Sequence, residues 1–234
     1  MPATRPGGST PRICALIPAF NEADVIGGVV TGAAAHVDQV IVIDDGSDDG
    51  TGERARDAGA IVLRLDRRSG KGTALRRGLA GAVGRGFTHV LFMDGDGQHR
   101  ADDIPSLVRV AGETGADLVI GCRTFDWRTT PPSRLFSNTV GSRIASALIG
   151  QPVRDSQSGF RLVRLACLDN VTLRSRRYEF EMEVLVKLGR AGCRIAHAPV
   201  TTVYDGRAAR SKMHPVRDTI RICLWSLLFR FGGR

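Results

Sequence analysis

The sequence predicts an α/β fold in which helices cover both faces of a mostly parallel central sheet. Two observations support this prediction: short apolar runs rich in β-branched residues alternate with segments of helical periodicity, and polar loops follow the first, second and fourth runs. Continuous apolar runs are typical of strands that are buried on both faces of a sheet. Ligands of such sheets bind beyond the carboxyl ends of the strands, so the polar loops mark the expected functional edge.

Each predicted element follows from length and residue type. The predicted strands are apolar runs of four to six residues at 13–17, 40–43, 60–65, 89–93 and 117–121. Between them, helical periodicity spans 22–35, 50–58, 71–83 and 102–113. Beyond residue 121 the alternation loosens, and we expect helices at 134–149 and 178–190 with short strands near 194–203.

The two ends of the chain differ in composition from its middle. Residues 1–12, "MPATRPGGSTPR", are rich in Pro, Gly and Ser and contain no apolar stretch of the signal-peptide kind, so a disordered tail and a cytoplasmic protein are expected. Residues 13–214 form the expected domain. Residues 215–234 are basic with one apolar helical face, which predicts a helix on a membrane surface, on an integral membrane partner or on the core. Their apolar run is far shorter than the ~20 residues that span a bilayer, so no transmembrane segment is expected.

The net charge of +9 predicts an anionic partner, such as a phosphorylated substrate, a membrane surface or nucleic acid. Nucleic acid is the least favoured of these, because aromatic residues are not interleaved with the basic ones and no nucleic-acid-binding module is recognisable. The five cysteines form no C-x-x-C pair, which disfavours both a disulfide framework and a zinc site.

The stretch "MDGDGQH" directly follows the fourth apolar run and concentrates oxygen ligands. In an extended segment Asp94, Asp96 and Gln98 point the same way, because side chains alternate with a period of two. Hard divalent cations such as Mg²⁺ or Mn²⁺ prefer such oxygen donors and share them with phosphate oxygens. We therefore expect a cation that holds a nucleotide diphosphate here; the alternative is an acidic turn that caps the next helix. His99 is expected to be a loop residue rather than a ligand.

Two further loops belong to the same edge. Asp44 and Asp45 end the second run before "GSDDGT", where a tight turn needs one acid, so at least one of them is expected to accept hydrogen bonds from a base or ribose. The segment "RSGKGTA" is a glycine-rich turn before a helix, but it lacks Walker A spacing. Its Lys71 is placed to contact a diphosphate, although a solvated basic loop explains the same residues.

Five motifs occur together in a characteristic order: "LIPAFNE", "IDDGSDDGT", "GKGTALRRG", "MDGDGQH" and "DSQSGFRLV". On these motifs the chain resembles the family 2 glycosyltransferases over roughly residues 13–214, and most of all the branch of dolichyl-phosphate mannose synthases and polyprenyl-phosphate glycosyltransferases. The resemblance implies a GT-A fold, a nucleotide-sugar donor, a divalent metal at the Asp-x-Asp element, and inversion at the sugar carbon.

The resemblance also implies roles for individual residues. Positions beside the nucleotide correspond to Pro18, Phe20, Glu22 and one of Asp44 and Asp45. The metal and diphosphate element corresponds to Asp94, Asp96 and Gln98. Positions that receive an acceptor phosphate correspond to Arg123, Arg134 and Asn138, although Asn138 stands where a Ser is common. The family's arginine upstream of "SK" has two candidates, Arg207 and Arg210.

The resulting hypothesis is transfer of a hexosyl group from a GDP- or UDP-linked sugar to a polyprenyl phosphate. A phosphate monoester with a second pKa of ~6 is already anionic near neutral pH, so no general base is needed. The residues expected to carry the reaction are then Asp96, Arg123, Arg134, and Arg207 or Arg210. The alternative acceptor is a sugar hydroxyl, which needs a carboxylate base, and Asp155 in "DSQSGF" is the best candidate. A loop hydrogen bond is the other role open to Asp155.

Overall fold

The computed structural model describes residues 11–124, 132–169 and 171–201, and it confirms the α/β architecture. Seven strands run through these residues: β1 (Ile13–Ala19), β2 (Gln39–Asp44), β3 (Ile61–Arg64), β4 (His89–Phe92), β5 (Leu118–Arg123), β6 (Arg161–Arg164) and β7 (Ile195–Val200). Six α-helices connect them: α1 (Ile26–Ala34), α2 (Thr51–Asp57), α3 (Lys71–Ala82), α4 (Ile104–Thr114), α5 (Pro132–Ile149) and α6 (Phe180–Arg190). The five strands predicted from apolar runs are confirmed to within two residues at each end.

The strands form one sheet in the order β3-β2-β1-β4-β6-β5-β7. All neighbouring pairs are parallel except those of β6, which runs antiparallel to both β4 and β5. The sheet is therefore mostly parallel, as predicted. The carboxyl ends of β1, β2 and β4 lie side by side at one edge, and the amino end of β6 reaches that same edge. Strand β6 was not predicted, because its four residues "RLVR" are bounded by arginines.

The core consists of two apolar layers, one on each face of the sheet. Along β1 the side chains alternate, so that Ala15 and Ile17 belong to one layer while Cys14 and Leu16 belong to the other. Helices α1, α2 and α4 cover the first layer, and helices α3, α5 and α6 cover the second. The prediction of helices on both faces is confirmed.

The first helix begins at Ile26, four residues later than its periodicity predicts. The intervening residues are bound to the loop before α2 instead. The backbone N–H of Glu22 donates to Oγ1 of Thr51 at 2.9 Å, and that of Ala23 donates to Oδ2 of Asp49 at 3.1 Å. Asn21 has a φ of 54°, which is the left-handed conformation that turns the chain away from a helix. The loops after β1 and β2 are thereby joined.

None of the described helices is long and apolar enough to cross a membrane. The predicted division into tail, domain and C-terminal helix stays a prediction, because residues 1–10 and 202–234 lie outside the described residues. The candidates Arg207 and Arg210 and the helix at 215–234 lie in that part of the chain.

Candidate active site

The acidic motif after β4 forms the centre of the site. Asp94 and Asp96 are both partly buried, and the backbone N–H of Gln98 donates to Oδ1 of Asp96 at 3.0 Å. Gly95 between them is held against the end of β1: a Cβ at this position would lie 3.0 Å from the carbonyl oxygen of Pro18. The absence of a side chain at Gly95 therefore lets the acidic loop pack on the carboxyl end of β1.

Lys71, the first residue of α3, lies between two carboxylates. Its Nζ is 2.5 Å from Oδ1 of Asp94 and 2.5 Å from Oε1 of Glu181, a residue of α6. Burial alone would lower the pKa of Lys71, but the charges of Asp94 and Glu181 outweigh burial and raise the pKa above its ordinary value. The ammonium is therefore charged at all working pH values, and it joins three elements that are distant in sequence.

Gly159, two residues before β6, provides the room for this ion pair. A Cβ on Gly159 would lie 2.8 Å from Oδ2 of Asp94 and 2.9 Å from Nζ of Lys71. Both distances are shorter than any ordinary van der Waals contact of a methyl group. The glycine in "DSQSGF" therefore permits the backbone to close one side of the Lys71–Asp94 pair.

The two acids of the motif differ in pKa, although both are ionised near pH 7. Burial would raise the pKa of Asp94, but the adjacent Lys71 lowers it below its ordinary value. Burial and the neighbouring charge of Asp94 raise the pKa of Asp96 to about 6. The two carboxylates thus repel each other, and a divalent cation that binds oxygen would relieve this repulsion. Two carboxylates and the Gln98 amide are the hard oxygen donors that suit Mg²⁺ or Mn²⁺, so the residues fit the predicted metal.

His99 shapes the acidic loop through a hydrogen bond and a ring contact. The backbone N–H of Asp94 donates to Nδ1 of His99 at 3.2 Å, which leaves the ring proton on Nε2. The ring stacks on Phe160, with 5.0 Å between the ring centroids. Burial lowers the pKa of His99 to about 4, so the imidazole is neutral near pH 7.

Asp44 and Asp45 hold backbone groups of the neighbouring loops. The carboxylate of Asp45 accepts hydrogen bonds from the backbone N–H groups of Ser69 at 2.6 Å and Gly70 at 2.8 Å, which fixes the turn before α3. Asp44 is fully buried, and its Oδ1 accepts a hydrogen bond from the backbone N–H of Ser47 at 2.9 Å. Both acids therefore have structural contacts, and a role beside a nucleotide stays a prediction.

Phe20 and Glu22 lie in the loop after β1, on the same side as the turn before α3. The guanidinium of Arg68 lies over the Phe20 ring, 4.3 Å from its centroid. Arg68 belongs to the basic turn that also leads to Lys71, so the turn and the loop after β1 are in contact. The roles of Phe20 and Glu22 beside a nucleotide stay predictions.

Arg123 and Asp155 lie at the end of β5 and before β6. Nε and Nη2 of Arg123 donate to the two carboxylate oxygens of Asp155 at 2.8 and 2.9 Å. Asp155 is 1% exposed, so its oxygens face the guanidinium rather than solvent. This pairing argues against Asp155 as a general base, because a base needs an oxygen that can approach the substrate's proton.

Helix α5 lies beside this ion pair and turns a polar face toward it. Asn138 is 5% exposed, and its buried Oδ1 has no hydrogen-bond partner among the described residues. One residue earlier, Oγ of Ser137 accepts a hydrogen bond from Nε2 of Gln157 at 2.7 Å. Arg134 belongs to α5, but its side chain lies outside the described part of the structure, as do Arg207 and Arg210.

Sequence reasoning did not single out Glu181, Gly159 or Arg161. Arg161 on β6 is 1% exposed and donates to three carbonyl oxygens, those of Ser158 at 2.8 Å, Ser156 at 2.7 Å and Glu181 at 2.5 Å. It therefore fixes the segment before β6 to the start of α6. An arginine inside the apolar run "GFRLV" is the signal that could have pointed to Arg161. Glu181 carried no such signal, since acids are common in helices.

A second group of potential metal ligands lies at the opposite edge of the sheet. The Sγ atoms of Cys167 and Cys193 and a carboxylate oxygen of Asp117 are all within 4.8 Å of one another. Asp117, however, already pairs with Arg164 at 3.3 Å and accepts a hydrogen bond from the backbone N–H of Arg194 at 2.9 Å. Burial raises the pKa of Cys167 to about 12, so without a metal ion its thiol is protonated near pH 7.

The chain matches the model of one protein family, described as glycosyl transferase family 2, over residues 14–172. Glycosyltransferase AglJ of Haloferax volcanii is 36% identical over 211 residues, which cover 88% of this chain and 68% of that protein. Undecaprenyl-phosphate mannosyltransferase of Micrococcus luteus is 29% identical over 242 residues, covering 95% of this chain and 97% of that protein. Polyprenol monophosphomannose synthase of Mycolicibacterium smegmatis is 30% identical over 207 residues, covering 82% and 77%.

Solved structures give the same fold. Glucosyl-3-phosphoglycerate synthase from Mycobacterium tuberculosis, crystallised with Mn²⁺, UDP-glucose and phosphoglyceric acid, is similar with a TM-score of 0.70 at 21% identity. The match covers 99% of this chain and 86% of that one. A likeness at this level of identity establishes the fold alone, and the predicted GT-A fold is confirmed.

Proposed function

The chain belongs to glycosyltransferase family 2, and from this membership we propose that it moves a hexosyl group from a GDP- or UDP-linked sugar to a polyprenyl phosphate, with inversion at the reacting sugar carbon. Two of the relatives described above are named for sugar transfer to such a lipid, undecaprenyl phosphate in one and polyprenol monophosphate in the other. Their similarity to this chain supports the proposed acceptor class.

The observation that carries the proposed acceptor is the two-point pairing of Asp155 with Arg123. Transfer to a hydroxyl needs a carboxylate that can take a proton, whereas an acceptor phosphate is already ionised near neutral pH. Both carboxylate oxygens of Asp155 accept hydrogen bonds from Arg123. Asp155, the best candidate for a general base, therefore orients a guanidinium instead. Arg123 would then offset the charge of the acceptor phosphate.

On the donor side, Asp94, Asp96 and Gln98 would hold Mg²⁺ or Mn²⁺. Such an ion, when bound, stabilises the negative charge that develops on the leaving diphosphate. Lys71 would add a second positive charge from the start of α3. The nucleotide would lie against the loops after β1 and β2, where the candidate contacts are Pro18, Phe20, Glu22, Asp44 and Asp45.

On the acceptor side, the proposed contacts are cationic or polar groups near α5: Arg123, Arg134, Asn138, and Arg207 or Arg210. The donor and acceptor are both anions, so the protein has to reduce their repulsion in order to bring them together. Arg123 is held in one orientation by Asp155, which favours a defined contact with phosphate oxygens. Asn138 would contact the phosphate through its Nδ2, because Oδ1, which has no hydrogen-bond partner among the described residues, is itself an acceptor.

A lipid acceptor requires that the domain works at a membrane surface. Phe136 on α5 is 72% exposed, near the end of the sheet where the acceptor contacts lie. An exposed aromatic side chain beside a lipid-binding edge suits contact with acyl chains. We propose that this edge, together with the basic segment 215–234, binds the cytoplasmic face of the membrane or an integral membrane partner.

The proposal is tested by incubating the full chain with labelled GDP-mannose, UDP-glucose or UDP-N-acetylglucosamine, polyprenyl phosphate in detergent, and Mn²⁺ or Mg²⁺. We expect one donor to give a labelled product that extracts into organic solvent, and we expect EDTA to prevent its formation. NMR of the product should show the anomeric configuration inverted. Absence of lipid-linked sugar with every donor, or transfer to the unphosphorylated polyprenol instead, would count against the proposal.

A further inference from the structure

We propose that Lys71 is a built-in counter-ion of Asp94 that must release this carboxylate when a divalent cation binds, and that Glu181 is the positioning residue on which the released ammonium stays. This inference rests on the proposed role of Asp94 as a metal ligand. It assigns a function to Glu181, which neither the sequence motifs nor the metal-binding acids include.

The contacts of Lys71 indicate that its ammonium and a metal ion compete for Asp94. Its Nζ bridges Oδ1 of Asp94 and Oε1 of Glu181 at 2.5 Å each, and its side chain is 17% exposed. An oxygen of Asp94 that already holds an ammonium cannot also hold a divalent cation without strong repulsion between the two cations. The pairing with Lys71 and the binding of a metal by Asp94 therefore compete.

The second oxygen of Glu181 shows where the ammonium can go. Glu181 is 7% exposed, and its Oε2 is buried without a hydrogen-bond partner among the described residues. A buried carboxylate oxygen without a donor is costly, so a structural residue would be expected to have both oxygens satisfied. Lys71 has three N–H donors and could bind both oxygens of Glu181 once it leaves Asp94. The ammonium would then remain in the site, free to contact a diphosphate.

The net charge of Asp94, Asp96, Glu181 and Lys71 supports the binding of a divalent cation with release of Lys71 from Asp94. Asp94, Asp96 and Glu181 contribute three negative charges when ionised, and Lys71 contributes one positive charge. The nearby Arg123 is paired with Asp155. The four groups thus leave two negative charges, which one divalent cation would balance. Gly159 closes the cluster on one side without adding charge.

The competition predicts opposite effects for two substitutions. Lys71→Met removes the competing ammonium at similar side-chain length, so Mn²⁺ alone should bind about tenfold more tightly. Glu181→Gln weakens the alternative site for the ammonium, so Lys71 stays on Asp94 and Mn²⁺ should bind about tenfold less tightly. A purely structural ion pair predicts that both substitutions weaken Mn²⁺ binding, through loss of order in the site.

The experiment is a titration of the full chain with Mn²⁺ alone, in which electron paramagnetic resonance measures the free ion. Lys187→Met is the matched control for Lys71→Met, because Lys187 pairs with Glu183 on the same helix α6 at 2.9 Å and lies away from Asp94. Glu113→Gln is the control for Glu181→Gln, because Glu113 forms a surface pair with Arg109. Both controls should leave Mn²⁺ affinity within about twofold of the wild-type value.

A crystal structure of the wild-type chain with Mn²⁺ gives an independent measurement should either variant fail to fold. We expect Nζ of Lys71 to have left Asp94 and to contact both oxygens of Glu181. The inference is overturned if Lys71→Met binds Mn²⁺ no more tightly than wild type, or if Lys71 still contacts Asp94 in the Mn²⁺-bound crystal. Either result leaves the proposed function intact as long as wild type forms lipid-linked sugar, whereas failure in that assay removes the function itself.

Discussion

Arg123 and Asp155 form a two-point salt bridge in which Nε donates to Oδ2 at 2.8 Å and Nη2 donates to Oδ1 at 2.9 Å. The backbone N–H of Arg123 also donates to Oδ2 at 3.3 Å, so one carboxylate fixes both the main chain and the side chain of the arginine. The side chain of Arg123 is 23% exposed and that of Asp155 is 1% exposed. A substrate that approaches this edge therefore meets the guanidinium.

The substitution Asp155→Asn separates an anchoring role from a catalytic one. We expect it to lower the free energy of unfolding by about 1–3 kcal/mol, because a buried charged hydrogen-bond pair is lost. We also expect a higher KM for polyprenyl phosphate with substantial kcat remaining, because Arg123 loses its fixed orientation. Urea unfolding and steady-state kinetics measure the two effects. Complete loss of turnover, with stability and equilibrium binding of the acceptor unchanged, would instead identify Asp155 as the base.

The substitution Asp96→Asn should stabilise the chain in EDTA at pH 7.5. The folded pKa of Asp96 is raised from 3.8 to about 6, so the ionised carboxylate disfavours the folded state above pH 6. The gain should be about 1–2 kcal/mol, after allowance for partial exposure, and it should shrink as the pH falls from 6 toward 4, because the folded state then binds a proton that the unfolded state binds only below about pH 4. Urea unfolding at pH 7.5 and 4.5 measures this difference.

Asp102→Asn is the control for this prediction, because Asp102 has a side chain 75% exposed and pairs with Arg100 on the surface. It should change stability by less than about 0.5 kcal/mol at either pH. A destabilising Asp96→Asn at pH 7.5 would contradict the assignment of like-charge repulsion to the acidic motif.

The substitution Gly159→Ala should damage the metal and donor site more than it damages the fold. The added Cβ would lie 2.8 Å from Oδ2 of Asp94 and 2.9 Å from Nζ of Lys71, so the ion pair has to move. We expect Mn²⁺-dependent nucleotide binding to fall at least about tenfold, which corresponds to about 1.4 kcal/mol. Isothermal titration with GDP or UDP in the presence of Mn²⁺ measures the loss.

Gly112→Ala is the matched control, because a Cβ at this position on α4 meets nothing within 4 Å. It should leave nucleotide binding unchanged and raise stability by about 0.5–1 kcal/mol, since alanine is the better helix former. Equal nucleotide affinity in Gly159→Ala and wild type would show that the close approach at Gly159 has no part in the site.

The substitution Phe136→Ser tests contact with the membrane. Phe136 is 72% exposed on α5, whereas Val83 is 68% exposed at the end of α3, toward the opposite edge of the sheet. We expect Phe136→Ser to reduce sugar transfer to polyprenyl phosphate in anionic vesicles several-fold, because burial of an aromatic ring in lipid contributes about 2 kcal/mol. Activity on detergent-dispersed acceptor should change little, and Val83→Ser should change neither activity.

The fold was largely predictable because a parallel sheet leaves a simple pattern. Its strands are buried on both faces, so "ICALI" and "VIVI" stand out as unbroken apolar runs. Strand β6 was missed because Arg161 interrupts its run with a charge. That arginine belongs to the core only because three carbonyl oxygens converge on it, and such convergence depends on the assembled structure rather than on local sequence.

The site was predictable where its residues are neighbours in the chain. Asp94, Asp96 and Gln98 occur in one short motif, so their chemistry can be inferred from spacing alone. Glu181 meets Lys71 from more than a hundred residues away, and it lies in "FEMEVLV", where helical acids ordinarily face solvent. The pairing of Asp155 with Arg123 likewise could not be predicted from the sequence, because the sequence does not show which of several arginines will contact the carboxylate.

Strand β6 lies between β4 and β5, although both precede it in the chain. During synthesis, β4 and β5 therefore lack the strand that lies between them until residues 161–164 have emerged, and in the meantime each exposes an unsatisfied hydrogen-bonding edge. We therefore expect the part of the chain that ends with β5 to be unstable on its own at that stage. The native state should consequently form late and as one cooperative unit, and a truncation after residue 150 should produce an aggregation-prone fragment rather than a smaller donor-binding protein.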